Sequence, residues 1–196
     1  MGPTIVTPLK DIQSELASAE IRAALSGKKC WYAFSSFGST VGLDLGRKVL
    51  RPRPLRNRAH KPEYRKYEGE RHLILWCSWR LERSGLPIIS SDGTEPQCQE
   101  HLQVLVGRMV RQVEISPSWD LRLVFSGDVA LIAFPDHVGQ AAGFDGNWEL
   151  WTPEQAYLVG TDLECKVIDR QNRVLAPIAR QDRWVVRRPR AERTSR

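Results

Sequence analysis

Between His72 and Glu82 the chain reads HLILWCSWRLE, and Leu73, Leu75, Cys77, Trp79 and Leu81 alternate with Ile74, Trp76, Ser78 and Arg80. Successive side chains of a strand point to opposite faces, so this period of two sorts the residues into two rows. Both rows are at least half apolar, which predicts a central strand covered on each side. A chain organised around such a strand needs a layered fold with material above and below the sheet.

Other segments repeat the theme. CWYAFSSF from Cys30, TVGLDLG from Thr40, MVRQVEI from Met109, WDLRLVF from Trp119 and VALIAF from Val129 are rich in aromatic and branched residues or alternate in polarity. Ser126, Gly127 and Asp128 between the last two predict a tight hairpin. NWELW, AYLVG, LECKVID and VLAPI continue as a meander, with the Gly-rich run Gly139 to Asn147 as a flexible loop before it and DRQN as a turn within it.

Two helices are expected. In TPLKDIQSELASAEIRAALSGKK, Thr7 can cap, Pro8 suits the first helical position, Leu9, Ile12, Leu16, Ala19 and Ala23 form a stripe, and Gly27 ends the helix. In TEPQCQEHLQVLVG, Thr94 and Gln97 suit a capping box, with Leu102, Leu105 and Val106 facing inward. About ten strands without regular β-helix-β alternation give an α+β domain of mainly antiparallel sheet. It is a sandwich or a strongly curved sheet, with an N-terminal helix and one short internal helix. At 196 residues a single globular domain over 1–186 is expected, and the periodless tail 187–196 is expected to be disordered.

Charge is distributed unevenly. Residues 47–71 carry ten Lys or Arg against three Glu, and residues 180–196 carry seven basic side chains against two acidic ones. From totals of 29 basic and 23 acidic residues, this leaves 12 and 18 elsewhere, so the body is mildly acidic although the chain is net +6. The four cysteines, Cys30, Cys77, Cys98 and Cys165, form no CxxC pair and have no His at zinc-ligand spacing, so structural burial is expected. With no apolar N-terminal region and no apolar run near membrane-spanning length, the default is a cytoplasmic protein with reduced thiols, no membrane contact and no cofactor.

A resemblance adds to this reading. Gly42-Leu43-Asp44-Leu45-Gly46, the Arg/Pro-rich bridge, Cys77-Ser78-Trp79-Arg80-Leu81-Glu82, Leu105-Val106-Gly107, Asp120-Leu121-Arg122-Leu123-Val124-Phe125 and Asn147-Trp148-Glu149 stand in this order. Over about residues 38–165 the chain resembles a group of small uncharacterised bacterial proteins, some of immunity-protein type. The motifs are strand-like rather than catalytic. What the resemblance implies is a bacterial cytoplasmic protein that works by binding, with no active site carried over.

Three kinds of chemistry compete with plainer roles. Arg47, Lys48, Arg51, Arg53, Arg56, Arg58, Lys61, Arg65 and Lys66, with Tyr64 and Tyr67, could contact phosphates and stack on bases. The RPRPL spacing instead favours an extended surface crossing whose Arg side chains pair with acidic groups of the body. Asp136 after an apolar strand, with Glu164 and Lys166 on another, matches the Asp and E-x-K pattern of Mg²⁺-dependent nucleases, in which carboxylates hold the metal and Lys orients water. The alternation of Leu163, Cys165 and Val167 fits an ordinary half-exposed strand equally well. No elbow surrounds the serines of SSFGST, no P-loop ending follows them, and His72 reads as a surface residue.

Among seven Trp, most are expected in the core. Trp148 and Trp151, three apart on one strand, point to opposite faces, and one of them is the expected partner contact. The expected function is therefore non-enzymatic binding of a protein partner through Trp148 or Trp151, the basic residues Arg51, Arg53, Arg56 and Arg58, and Tyr64. Nucleic-acid binding through Arg47–Arg71 and the tail is the first alternative, and the nuclease is the second.

Overall fold

The structure, a computed structural model, describes residues 9–36, 40–58, 60–139 and 146–169, with side chains from Gln13 onward. Helix α1 (Leu9–Leu25) is followed by strands β1 (Cys30–Ser36) and β2 (Thr40–Leu50), a short helix α2 (Pro62–Lys66), and strands β3 (Tyr67–Leu75), β4 (Ser78–Arg83) and β5 (Leu86–Ser90). Helix α3 (Glu95–Leu102) runs into a single 3₁₀ turn and is followed by β6 (Val110–Ile115), β7 (Leu121–Phe125), β8 (Val129–Phe134), β9 (Trp148–Trp151), β10 (Gln155–Val159) and β11 (Cys165–Asp169). The predicted strand VLAPI and the basic tail lie outside the described residues.

Every strand pairing is antiparallel. The strands make a six-stranded sheet in the order β1-β2-β3-β9-β10-β11 and a five-stranded sheet in the order β5-β4-β8-β7-β6. One continuous core, lined by Leu43, Leu73, Leu75 and Leu150 of the first and Trp79, Leu81, Leu123 and Leu131 of the second, lies between them. The α+β architecture dominated by antiparallel sheet is thus present as expected. Among the described residues no helix is long and apolar enough to cross a membrane.

The run His72–Glu82 is not one strand. It divides at Trp76-Cys77, and its halves belong to different sheets, β3 to the six-stranded one and β4 to the five-stranded one. The alternation survives the corner because Leu73, Leu75, Cys77, Trp79 and Leu81 all face the shared core. The opposite row, Ile74, Trp76, Ser78 and Arg80, is only half-buried, so the strand is not covered equally on its two sides. Two backbone bonds make the corner, because the Trp76 and Cys77 N–H groups both donate to the Asn147 carbonyl, at 2.8 and 3.0 Å.

Both expected helices form, but α1 turns a different face inward. Ala17, Ile21 and Leu25, at four-residue spacing, are buried, whereas Leu16 is 59% exposed and Ala19 and Ala23 face solvent. Tertiary packing selected the second of two apolar stripes. At α3 the Thr94 N–H donates to Gln97 Oε1 at 3.1 Å, as the capping box requires. Leu102 and Leu105 are buried with Cys98, and Val106 is exposed. Strand β5 adds to the strands expected from the sequence; it follows a two-residue turn in which Ser84 and Gly85 both have positive φ (50° and 78°).

Candidate functional site

The basic segment 47–71 is more regular than a crossing loop. Its ends belong to β2 and β3, which remain paired beyond a bulge through Lys48 opposite Gly69, Val49 opposite Glu68 and Leu50 opposite Tyr67. Between them residues 51–66 form a lobe closed by backbone bonds from Arg51 N–H to the Lys66 carbonyl (3.0 Å) and from Leu55 N–H to the Arg65 carbonyl (2.9 Å). Arg51 reinforces the closure, its Nε–H donating to the Tyr67 carbonyl (3.1 Å) and its Nη1 pairing with Glu68 (2.9 Å).

An aromatic cluster fastens the lobe to the outer face of the six-stranded sheet. Tyr64 of α2 stacks on Tyr32 with ring centroids 4.0 Å apart and lies 5.5 Å from Phe34 and 4.8 Å from His60. Phe34 lies over Gly42, where any Cβ would collide with its ring. Tyr64 is only 3% exposed. It therefore corrects the expectation that it touches a partner or stacks on a base: its place is structural, as the pin that holds the lobe.

Beneath the pin lies a buried carboxylate. Asp44 is fully buried, and its Oδ1 accepts the Gly69 N–H at 2.6 Å and lies 3.0 Å from His72 Nδ1. His72 is thus not an ordinary surface residue. The signal available for it was Asp44 itself, an acidic residue within the otherwise apolar stretch Val41–Leu45, where Asp is disfavoured without a partner.

Ion pairs within the segment differ from the expected ones. Among the described residues, the Arg side chains pair not with acidic groups of the body but with the segment's own glutamates. Glu63 pairs with Lys48 (2.5 Å) and Glu68 with Arg51, while Glu70 holds Arg47 (2.8 Å), Arg71 (3.4 Å) and, from outside the segment, Lys28 (2.8 Å). All three acids are engaged in this way. Arg53, Arg56, Arg58, Lys61 and Lys66 remain exposed, with no ion-pair partner among the described residues.

The Lys28 ammonium, then the Arg47 guanidinium, hold the Glu70 carboxyl at about 2, well below its ordinary 4.5. A depressed acid stabilises the fold above its unfolded value and loses that contribution as pH falls through its folded value. Glu70→Gln is expected to lower stability by about 2 kcal/mol at neutral pH, Arg47's exposed share being screened. In urea unfolding the gap between variant and wild type should close as pH falls from 4.5 toward 2.

The two Trp of β9 separate as alternation requires. Trp148 is fully buried and its indole N–H donates to the Trp119 carbonyl at 2.8 Å, so it is a core residue and no partner contact. Trp151 is half-buried on the outer face, with its indole N–H donating to Glu149 Oε2 at 2.8 Å. Strand register places Tyr32, Asp44, His72 and Trp151 in one cross-strand row. At about 4.8 Å per strand, the pinned lobe and Trp151 lie within about 15 Å on the same face.

The nuclease residues are not assembled. Asp136 follows β8 in the five-stranded sheet, whereas Glu164 directly precedes β11 and Lys166 lies within it, at the edge of the other sheet, where β11 pairs with β10. Burial raises the Asp136 carboxyl, but donation from the Ser78 hydroxyl and N–H outweighs it and sets the carboxyl below its ordinary range. Lys166 pairs with Asp162 at 3.1 Å instead of facing Asp136. Among the described residues no three His, Cys, Asp or Glu side chains are grouped to hold a metal ion. Cys30, Cys77 and Cys98 are buried and Cys165 is half-buried; burial pushes the Cys30, Cys77 and Cys165 thiols up to about 12, too high for a thiolate nucleophile at neutral pH.

What this geometry brings together is a pinned lobe bearing five exposed cations and, on the outer face of the same sheet, a half-buried Trp. Comparison with models of known protein families, with curated proteins and with solved structures finds no match for the chain.

Proposed function

We propose that this chain is a non-enzymatic bacterial binding protein that covers an anionic surface of a partner protein, in the manner of an immunity-type protein. The observation that carries the reading is the lobe's arrangement of charge. Its acids are consumed internally, and Arg53, Arg56, Arg58, Lys61 and Lys66 are left exposed on a backbone that is already ordered. Such cations steer an acidic partner, and their fixed framework reduces the ordering cost of binding. Trp151 supplies apolar area on the same face. On this reading the protein acts in the cytoplasm with its thiols reduced.

The same five cations suit phosphates, which favours nucleic acid as the second reading. With Tyr64 buried, that binding would rest on backbone contacts and fall steeply with salt. The test uses a triple variant, Arg53→Glu, Arg56→Glu and Arg58→Glu, in quantitative capture and titration with the captured protein. The reading expects 1:1 binding weakened at least about 100-fold by the triple variant and about tenfold by Trp151→Ala, both variants unfolding within about 1 kcal/mol of wild type. Labelled duplex and single-stranded nucleic acid are titrated at two salt concentrations in parallel. Tight, salt-sensitive binding there, with no protein captured, transfers the lobe to the second reading.

A further inference from the structure

Among the residues that hold the lobe is a histidine, the side chain whose ordinary protonation range lies nearest neutral pH. His60 closes the loop just before α2, and its ring meets two others edge-on, Phe34 of β1 with centroids 5.6 Å apart and Tyr64 of α2 at 4.8 Å. An imidazole in this position binds as an apolar disc while it is neutral. Once protonated it becomes a cation that needs a counter-charge or an open aromatic face.

Among the described residues no carboxylate pairs with it, and the face of Tyr64 is already shared with a guanidinium. From the lobe, Arg51 lies over Tyr64 with its guanidinium carbon 5.0 Å from the ring centroid, and Lys61 follows His60 in the chain. From α2 come Arg65, Lys66 and Glu63, and Glu63 is already paired with Lys48. From β1 the neighbours are Tyr32 and Phe34, and from β2 the nearest acid is Asp44, engaged by Gly69 and His72. Glu68 on β3 is bound to Arg51. Among the described residues, no carboxylate lies within ion-pair distance of the His60 ring.

We propose that His60 is a proton-operated latch: neutral, it keeps the basic lobe seated on the aromatic cluster, and protonated it loosens the lobe, so that the display of Arg53, Arg56 and Arg58 depends on pH. The role of the display rests on the binding function proposed above, while the latch itself is a property of the free protein. Burial first, and then the Arg51 charge, lower the affinity of His60 for a proton below its ordinary value. The sign follows from linkage. The neutral form is favoured in the seated lobe, so its contribution is complete above the ordinary His value and is lost as pH falls from there through the lowered one.

The test is made on the full chain without any partner. The His60 ring is titrated by NMR between pH 8 and 5, and amide exchange of the lobe is followed over the same range with the intrinsic pH dependence of exchange removed. The expected result is that the Arg51 and Leu55 amides, which close the lobe, exchange several-fold faster as His60 gains its proton, while the Leu131 amide in the core does not. His60→Phe, which keeps the edge contacts and cannot take a proton, should hold the lobe closed throughout. His72→Gln serves as the control for the neighbouring imidazole. Protection of Arg51 and Leu55 that ignores pH overturns the proposal, as does a pH dependence that persists in His60→Phe. Because no partner is present, failure here is distinct from failure to bind an acidic protein.

Discussion

Replacing Trp148 by Ala is expected to remove about 4 kcal/mol of stability, the largest single effect in the molecule and a large share of what a domain of this size possesses. The indole lies fully buried at the junction of the two sheets, with its ring 6.2 Å from Trp119 in an edge-on arrangement. Truncation would open a cavity of most of an indole, and the surrounding strands, tied by their ladders, can close it only in part. It would also strip the Trp119 carbonyl of its donor. Trp119 holds a positive φ of 66°, a conformation that costs a non-glycine residue about 1 kcal/mol or more. Trp148→Phe keeps most of the volume but not the N–H and should fall between Ala and wild type. Urea unfolding followed by far-UV circular dichroism measures all three; a Trp148→Ala loss no larger than that of Trp151→Ala would mean that the indole is not packed as described.

Asp44→Ala should be the next most damaging substitution, at about 3 kcal/mol. Its carboxylate is the acceptor for the Gly69 N–H and the partner of His72, and without it the buried Gly69 N–H loses its acceptor and the partly exposed His72 loses its partner. Gly69 has no room to adjust, since a Cβ there would meet the backbone of Arg71 and Leu45 within 2.7 Å. Asp44→Asn retains an acceptor oxygen and should lose much less. Because Asp44 braces β2 to β3 at the base of the lobe, faster amide exchange at Arg51 and Leu55 should accompany the Ala substitution. A destabilised variant whose lobe stays fully protected would separate the two roles.

Much of the fold was legible because it is written locally. Alternation in Leu73 to Leu81 named the residues that face the core, WDLRLVF and VALIAF were legible as strands, Ser126 to Asp128 gave the β7–β8 hairpin, and Thr94 with Gln97 gave the start of α3. These signals depend only on the period of the backbone and on hydrogen bonds between near neighbours. Opposite faces for Trp148 and Trp151 followed from the same period.

What remained hidden depends on which distant segments meet. The run from His72 to Glu82 keeps its alternation across a corner, so the period could not show that its two halves join different sheets. Helix α1 carries two plausible apolar stripes, and only its packing beside β6 and β11 chose Ala17, Ile21 and Leu25 over Leu16 and Ala19. The excess charge of residues 47–71 was plain from composition, but not that Glu63, Glu68 and Glu70 would neutralise Arg47, Lys48, Arg51 and Arg71 and leave Arg53, Arg56 and Arg58 exposed. Nor could spacing bring Tyr64 onto Tyr32 or Asp44 to His72, 28 residues apart. Periodicity is a property of one strand or helix and can be read along the chain. Pairing of strands, charges and rings is decided by the free energy of the whole packed arrangement, and only the tertiary structure fixed which basic side chains face solvent and what holds them there.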